Sequence, residues 1–199
     1  MINKVELLEP EVTYHIYNRA NGNENLFQSD DNYSYFLRKY TEYISPIAYT
    51  YCYCLMPNHF HFLIRIKSEK ELKSNFQGFI NLENFVSKQF SNFFNSYTKS
   101  YNKQQNGKGN LFMHNFKRKK IGDESYLRKI VHYIHFNPVE AEFCKLPSEW
   151  KYSSYNALVI SKPTLLNKEE VIKWFDDLVN FIYIHENPPK YTGIDIGTF

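Results

Sequence analysis

The stretch that decides the fold is Leu55-Met56-Pro57-Asn58-His59-Phe60-His61-Phe62-Leu63-Ile64. A proline turn stands directly before a run of residues typical of a β-strand. Because side chains of a strand point alternately to opposite faces, His59 and His61 share one face and the phenylalanines that follow them share the other. The phenylalanine face is apolar enough for a protein core. We therefore expect this strand to be central in an antiparallel sheet.

The two histidines carry the first chemical hypothesis. Imidazole nitrogens are good ligands for divalent metal ions, so a His-x-His pair at the start of a strand is half of a metal site. The alternative is that both are ordinary polar side chains on a solvated sheet face, and the pair alone leaves this open. Cys52 and Cys54 also share one strand face, but small buried hydrophobic residues are the favoured interpretation of that pair.

The other hydrophobic patterns place this strand in a definite order of elements. Strand patterns cover residues 12–19, 47–56 and 113–120, and helical patterns cover 31–44, 82–101 and 124–136. Strict alternation in residues 47–56 predicts that Tyr51 shares a face with Tyr53 and Leu55. The order β-α-β-β-α-β followed by a helix predicts an α+β fold, a ferredoxin-like or RRM-like split βαβ sandwich with an antiparallel sheet and helices on one face.

Length and composition limit the organisation and the class of protein. At 199 residues the chain suits one domain with additions, so we expect a core domain over residues 1–157 and a C-terminal helical extension over residues 158–199, with a short helix near 168–184. Three cysteines indicate no disulfide framework. No apolar run reaches membrane-spanning length and no secretory leader opens the chain, so we expect a cytoplasmic protein without a membrane partner.

A basic stretch indicates the kind of partner. Between Glu83 and Asp123 the sequence contains no acidic residue, whereas aromatic residues and cations alternate throughout. Clustered cations neutralise phosphates, and aromatic rings stack on bases of single strands. The alternative is a solvated basic face beside an ordinary core. The candidate nucleic-acid-binding residues are Lys103, Lys108, Lys117, Arg118, Lys119 and Lys120.

The last helical pattern before the extension carries a second chemical hypothesis. Residues four apart lie one helical turn apart on the same face, so Tyr133 and Asn137 project together, and Tyr126 lies on the same stripe. We expect Pro138 to end this helix. A phenol beside a short amide is unusual for a core face. The pair makes chemical sense as a tyrosine nucleophile next to a third metal ligand.

These motifs together resemble the single-tyrosine HUH transposases, and most closely the branch of REP-associated tyrosine transposases. The resemblance covers roughly residues 12–157 and becomes specific through the combination of motifs in this order rather than through any one of them. The motifs are Met56-Pro57-Asn58-His59-Phe60-His61, Gly109-Asn110-Leu111-Phe112 with Phe116-Lys117, Tyr133-Ile134-His135-Phe136-Asn137-Pro138-Val139, and Trp150-Lys151-Tyr152-Ser153-Ser154-Tyr155.

The resemblance implies a role for each matching residue. His59 and His61 would be metal ligands, Asn137 the polar third ligand, and Tyr133 the nucleophile. It implies a divalent cofactor, Mg²⁺ or Mn²⁺, and a single-stranded DNA partner cleaved beside a hairpin, with a 5′-phosphotyrosine intermediate that permits strand transfer, as in DNA transposition. We expect Mn²⁺ to serve at least as well as Mg²⁺, because imidazoles are softer ligands than oxygen. Residues 1–157 would be the catalytic domain, acting as a monomer or a homodimer.

Two functions from other classes remain open. A metal-free nucleic-acid-binding module of RRM-like fold would use the same sheet and basic stretch, and its histidines would be merely polar. A metal-dependent nuclease would use the same ligands with water as its nucleophile, and Tyr133 would be dispensable. Metal binding separates the first alternative from the transposase hypothesis, and a covalent adduct with DNA separates the second.

Overall fold

The computed structural model of the protein describes residues 7–72 and 81–187. Its strands are β1 (Thr13–Arg19), β2 (Ala48–Met56), β3 (His59–Ile66) and β4 (Lys117–Ile121). They form one sheet in the order β2-β3-β1-β4, and every neighbouring pair is antiparallel. The predicted α+β class is confirmed, and the histidine strand β3 lies inside the sheet as expected.

Helices cover both faces of this sheet. They are α1 (Asp30–Tyr43), α2 (Glu69–Leu72), α3 (Leu82–Gln105), α4 (Glu124–Glu140), α5 (Tyr155–Val159), α6 (Lys168–Trp174) and α7 (Leu178–Glu186), with a short 3₁₀ helix at Pro147–Glu149. In the two described segments, no helix combines the length and the apolar character needed to cross a membrane.

The first core lies between the sheet and the helices α1 and α3. Phe60 and Phe62 project from β3 into it and meet Phe36 of α1, which also packs against Phe93 of α3; all four are fully or almost fully buried. Burying each such ring stabilises the fold by roughly 1.5–3 kcal/mol. The β1-α1-β2-β3-α3-β4 order with α1 and α3 on one face is the predicted ferredoxin-like arrangement.

The second core covers the opposite face, which is the face of the two histidines. Cys54 and Leu63 of the sheet pack there with Ile134 of α4 and with Phe181 of α7. Helices therefore lie on both faces, and the expectation of helices on one face describes α1 and α3 alone. The physical reason is that the histidine face is itself largely apolar, so it needs a covering layer.

Described residues of the C-terminal extension belong to this second core. Residues 188–199 lie outside the described part of the chain, and a domain boundary at residue 157 stays a prediction.

Two predicted details of the local structure are wrong. Tyr51 lies in the second core while Tyr53 packs against the first, because β2 carries an irregularity between Thr50 and Cys52 in its pairing with β3. An extra residue in one strand reverses the alternation of side chains. The helical pattern of residues 168–184 forms α6 and α7 instead of one helix, because Asp176 has a positive φ of 71° and Asp177 caps the start of α7 through the N–H of Asn180.

The prediction that Pro138 ends α4 is also wrong. Pro138 lies inside the helix, which continues to Glu140. A proline removes one helical hydrogen bond and its ring crowds the carbonyl four residues earlier, but both effects are confined to the turn before it, and the residues after it still supply donors. Here the N–H of Ala141 donates to the carbonyl of Asn137 and the N–H of Phe143 to that of Pro138. Asn137 is thereby kept in helical geometry.

Histidines also fill the interface between α4 and the C-terminal helices. His135 Nδ1 lies 3.0 Å from His185 Nε2, and His135 Nε2 lies 2.8 Å from Ser154 Oγ. His132 is buried beside them, and neither of its ring nitrogens has a hydrogen-bond partner among the described residues. Burial lowers the pKa of His132 to about 4 and that of His185 to about 3. The packed layer therefore requires neutral imidazoles.

This requirement predicts a loss of stability in mild acid. The ordinary pKa of His132 is 6.5, so below that pH this imidazole is protonated in the unfolded chain but stays neutral in the folded chain. The free energy of unfolding therefore keeps its full value above about pH 6.5. It falls as the pH drops towards 4, by about 1.4 kcal/mol per pH unit for each such histidine. We expect His132→Leu to reduce the loss between pH 7 and pH 5 by about 2 kcal/mol, measured by urea denaturation at each pH. The exposed His114→Leu variant is the control, and an equal reduction in both variants would contradict the assignment.

Candidate active site

The register between β1 and β3 determines which side chains meet on the histidine face. His61 lies opposite Tyr17, and His59 lies opposite Arg19. Paired residues of antiparallel strands project to the same face. A row of polar side chains therefore crosses the middle of an otherwise apolar sheet, directly beneath α4.

His15 is the nearest neighbour of His61. Its Nε2 atom lies 3.0 Å from His61 Nδ1, and both rings are fully buried and stacked. Burial lowers the pKa of His15 to about 3, with a contribution from the charge of Lys119, and lowers that of His61 well below its ordinary value. Both rings are thus neutral at pH 7. When Nδ1–H of His61 donates to His15, the Nε2 atom of His61 carries the lone pair.

His59 lies between two amide oxygens. Its Nδ1 atom is 2.7 Å from Asn58 Oδ1, and its Nε2 atom is 3.0 Å from Asn137 Oδ1. Burial lowers the pKa of His59, and a neutral imidazole has only one N–H to donate. If Nδ1–H donates to Asn58, the lone pair of Nε2 faces the oxygen of Asn137. Two electron-pair donors that point at each other form the kind of arrangement that a cation stabilises.

Tyr133 completes the cluster from α4. Its ring meets the ring of His61 edge to face, with 5.5 Å between centroids. Burial raises the pKa of the phenol to about 12, although the neighbouring amide of Asn137 acts in the opposite direction. The phenol is therefore protonated at pH 7.

The helix α4 explains why these two side chains act together. Tyr133 and Asn137 are one turn apart on the same face, as the sequence predicts, and Asn137 is only 8% exposed. Its amide oxygen lies 3.0 Å from His59 Nε2. Within the described residues, no three His, Cys, Asp or Glu side chains converge as a metal site. A metal site here would thus need the amide of Asn137 as its third ligand.

The basic run on β4 divides between the two faces of the sheet. Lys117 pairs with Tyr17 and Lys119 with His15, so these two lysines share the face of the histidines. Arg118 pairs with Ile16 and Lys120 with Tyr14, whose side chains lie in the first core. Since β4 is an edge strand, cations line this edge on both faces.

The remaining predicted residues lie apart from this cluster. Lys103 and Lys108 are exposed, in the last turn of α3 and the loop after it, on the layer that covers the first core. Tyr126 accepts a 3.4 Å hydrogen bond from Lys119 Nζ, two turns from Tyr133. The structure thus brings together Tyr133, His59, His61 and Asn137, with Lys117 and Lys119 on the same face.

The sequence interpretation missed three members of the site. His15, Tyr17 and Arg19 follow one another at alternate positions of β1, so their shared face is visible in the sequence. Their contact with His59 and His61 depends on the β1–β3 register, which joins residues 40 or more positions apart. No local pattern specifies such a pairing.

Comparison with known proteins supports the fold. Among solved structures, the chain is similar to a REP-associated tyrosine transposase bound to a REP hairpin, with a TM-score of 0.60 and 15% sequence identity over 80% of this chain and 86% of the other. No protein-family model matches the sequence, and no curated protein matches it. The resemblance to REP-associated tyrosine transposases that the motifs indicate is thus confirmed at the level of the fold.

Proposed function

We propose that the protein is a metal-dependent single-stranded DNA endonuclease and strand transferase that acts through a 5′-phosphotyrosine at Tyr133. The observation that carries this proposal is the position of Asn137, whose amide oxygen lies 3.0 Å from the Nε2 atom of His59 and which lies one helical turn from Tyr133 on α4. A candidate ligand set and a candidate nucleophile are therefore joined by one turn of a helix.

The donor set fits a divalent cation. His59, His61 and Asn137 would hold Mg²⁺ or Mn²⁺, with two imidazole nitrogens and one amide oxygen. Burial lowers the pKa of both imidazoles, so no proton competes with the ion at pH 7. The ion would supply positive charge that offsets the charge of the phosphate and of the departing oxygen. Imidazole nitrogens favour Mn²⁺ at least as much as Mg²⁺.

The residues of the chain have separate tasks in the reaction. Lys117 and Lys119 lie on the face of the site and attract the phosphodiester. The oxygen of Tyr133 attacks phosphorus, the bond from phosphorus to the 3′-oxygen breaks, and the proton lost by the phenol balances the proton gained by the 3′-hydroxyl. Attack by another 3′-hydroxyl reverses these steps and joins two strands. Because Tyr133 is held against His61 and Asn137, its oxygen is positioned before DNA arrives.

The partner is inferred from the same features. The similar solved structure is of a transposase bound to a REP hairpin, and the basic edge of the sheet suits an anionic strand. Single-stranded DNA beside a hairpin is the partner we propose, with the protein acting as a monomer or a homodimer.

The first prediction concerns the nucleophile. Tyr133→Phe keeps the ring but removes the oxygen that would bond to phosphorus, so we expect no covalent adduct and no cleavage, with DNA and metal affinity nearly unchanged. The measurement is a denaturing gel of labelled single-stranded DNA incubated with the protein and Mn²⁺. Tyr126→Phe is the matched control on the same helix. Cleavage without an adduct in Tyr133→Phe would favour a water-dependent nuclease, and loss of the adduct in Tyr126→Phe alone would show that the wrong tyrosine is assigned.

The second prediction concerns the support of the metal ligands. His15→Leu removes the hydrogen-bond partner of His61, and loss of such a partner typically weakens metal affinity about 10–100-fold. Calorimetric titration with Mn²⁺ measures this effect. His132→Leu replaces another buried histidine, outside the site, and should leave affinity unchanged. If His59→Ala binds Mn²⁺ as tightly as the wild type does, the proposed ligand set is wrong.

The third prediction concerns the basic edge. Replacing Lys117 and Lys119 by alanine should lower the slope of log affinity against log salt by about 0.7 for each phosphate that the protein no longer neutralises. The measurement is fluorescence anisotropy with a labelled single-stranded DNA at several salt concentrations. The control, with alanine at Lys162 and Lys173, removes the same charge from exposed positions elsewhere. An equal slope change in both variants would mean that only net charge matters.

A further inference from the structure

A second cleft lies on the face of the sheet opposite the candidate active site. It has a volume of about 350 Å³ and separates α3 from the segment of residues 110–118. Ser87, Ser91, Asn95 and Thr98 line one wall, and their spacing of four, four and three residues places them on one stripe of α3. This stripe is uncharged and polar, next to a helix face that is otherwise aromatic core.

The opposite wall is fixed to the sheet. The N–H of Met113 donates to the carbonyl of Arg19 over 2.9 Å, and Asn18 Nδ2 donates to the carbonyl of Met113 over 3.3 Å. The N–H of Asn21 donates to the carbonyl of Leu111 over 2.8 Å. These bonds join a segment without regular structure to the end of β1. The cleft is therefore a formed feature between two anchored walls.

The chemistry of the cleft is that of base recognition. Phe94 and Phe116 contribute aromatic surface to it, and the guanidinium of Arg118 lies 4.0 Å from the centroid of the Phe116 ring. Asn95 and Asn110 add amides, which can both donate and accept hydrogen bonds. Unpaired bases are typically held between aromatic or guanidinium planes and read by such polar groups along their edges.

The surrounding charge favours an anionic polymer. No acidic residue occurs between Glu83 and Asp123, and no carboxylate is among the described residues that line this cleft. Lys88 and Lys99 are exposed on α3 beside the polar stripe. The cations favour an anionic ligand, and the uncharged polar and aromatic lining favours flat groups that form hydrogen bonds. Single-stranded nucleic acid combines the two properties.

We propose that this cleft is a second DNA-binding site, which holds one unpaired nucleotide of the strand whose phosphodiester enters the active site. The inference rests on the proposed function. Strand β4 connects the two sites, because its successive side chains project to opposite faces of the sheet. Arg118 belongs to the cleft, whereas Lys117 and Lys119 on either side of it face the histidines. A strand that crosses this edge of the sheet contacts cations on both faces, so base contacts in the cleft position the phosphate on the other side.

The test compares DNA with and without bases. Two labelled 15-nucleotide probes are used, one of thymidine and one of abasic deoxyribose phosphate, which carry the same charge. Anisotropy is measured in EDTA, so that cleavage does not interfere. Wild-type protein should bind the thymidine probe at least about fivefold more tightly, as expected when a base stacks on an aromatic side chain.

Variants then locate the base contact. Asn95→Leu and, independently, Ser91→Leu change exposed helix positions and should remove most of the preference for thymidine while leaving affinity for the abasic probe unchanged. Arg118→Gln should also reduce the preference. Lys162→Gln is its control, because it removes the same charge from an exposed position outside the cleft. An unchanged preference in Asn95→Leu and Ser91→Leu overturns the inference, and so does equal binding of both probes by the wild type.

The same proteins separate this inference from the proposed function. Adduct formation by the wild type with Mn²⁺ tests the proposed function, whereas the two probes in EDTA test the cleft. An adduct together with an unchanged preference in the cleft variants refutes the cleft alone. No adduct together with a lost preference in those variants refutes the cleavage mechanism and leaves a base-binding cleft.

Discussion

The antiparallel pairing of β1 with β3 is the constraint on which the rest of the site depends. It places His15 against His61 and Arg19 opposite His59. A shift of one residue would turn every one of these side chains to the other face, into the aromatic core of α1 and α3. Since that core is built from Phe60 and Phe62, the packing that stabilises the fold also prevents the shift.

Burial of both faces of the sheet keeps the histidines neutral. A solvated sheet face would leave His61 free to take up a proton near neutral pH, whereas the layer of α4 lowers its pKa well below the ordinary value. Burial has a cost, because a buried imidazole nitrogen that forms no hydrogen bond destabilises the fold. The pairs His15–His61 and His135–His185 each form one hydrogen bond between rings, whereas neither ring nitrogen of His132 has a partner among the described residues.

Much of this arrangement was predictable from local patterns. The alternation of residues 59–66 predicts β3 and its two faces, and the spacing of Tyr133 and Asn137 predicts their shared helix face, because both depend only on the geometry of a single element. The bulge at Tyr51 and the continuation of α4 through Pro138 were not predictable in this way. Both depend on what packs against the element. The covering layer on the histidine face was missed for the same reason: an apolar strand face does not specify which part of the chain will cover it.

The position of Asn137 and Tyr133 on one continuous helix has a consequence for motion. A rigid helix cannot displace one residue without the residue one turn away, so any rotation that moves the phenol from His61 also separates Asn137 from the Nε2 atom of His59. The two contacts that α4 makes with these histidines are therefore lost together. The helix ends at Glu140, and the Pro147–Glu149 helix that follows packs back onto α4. Docking of α4 on the sheet thus adds the phenol and the amide to the histidine pair in a single step.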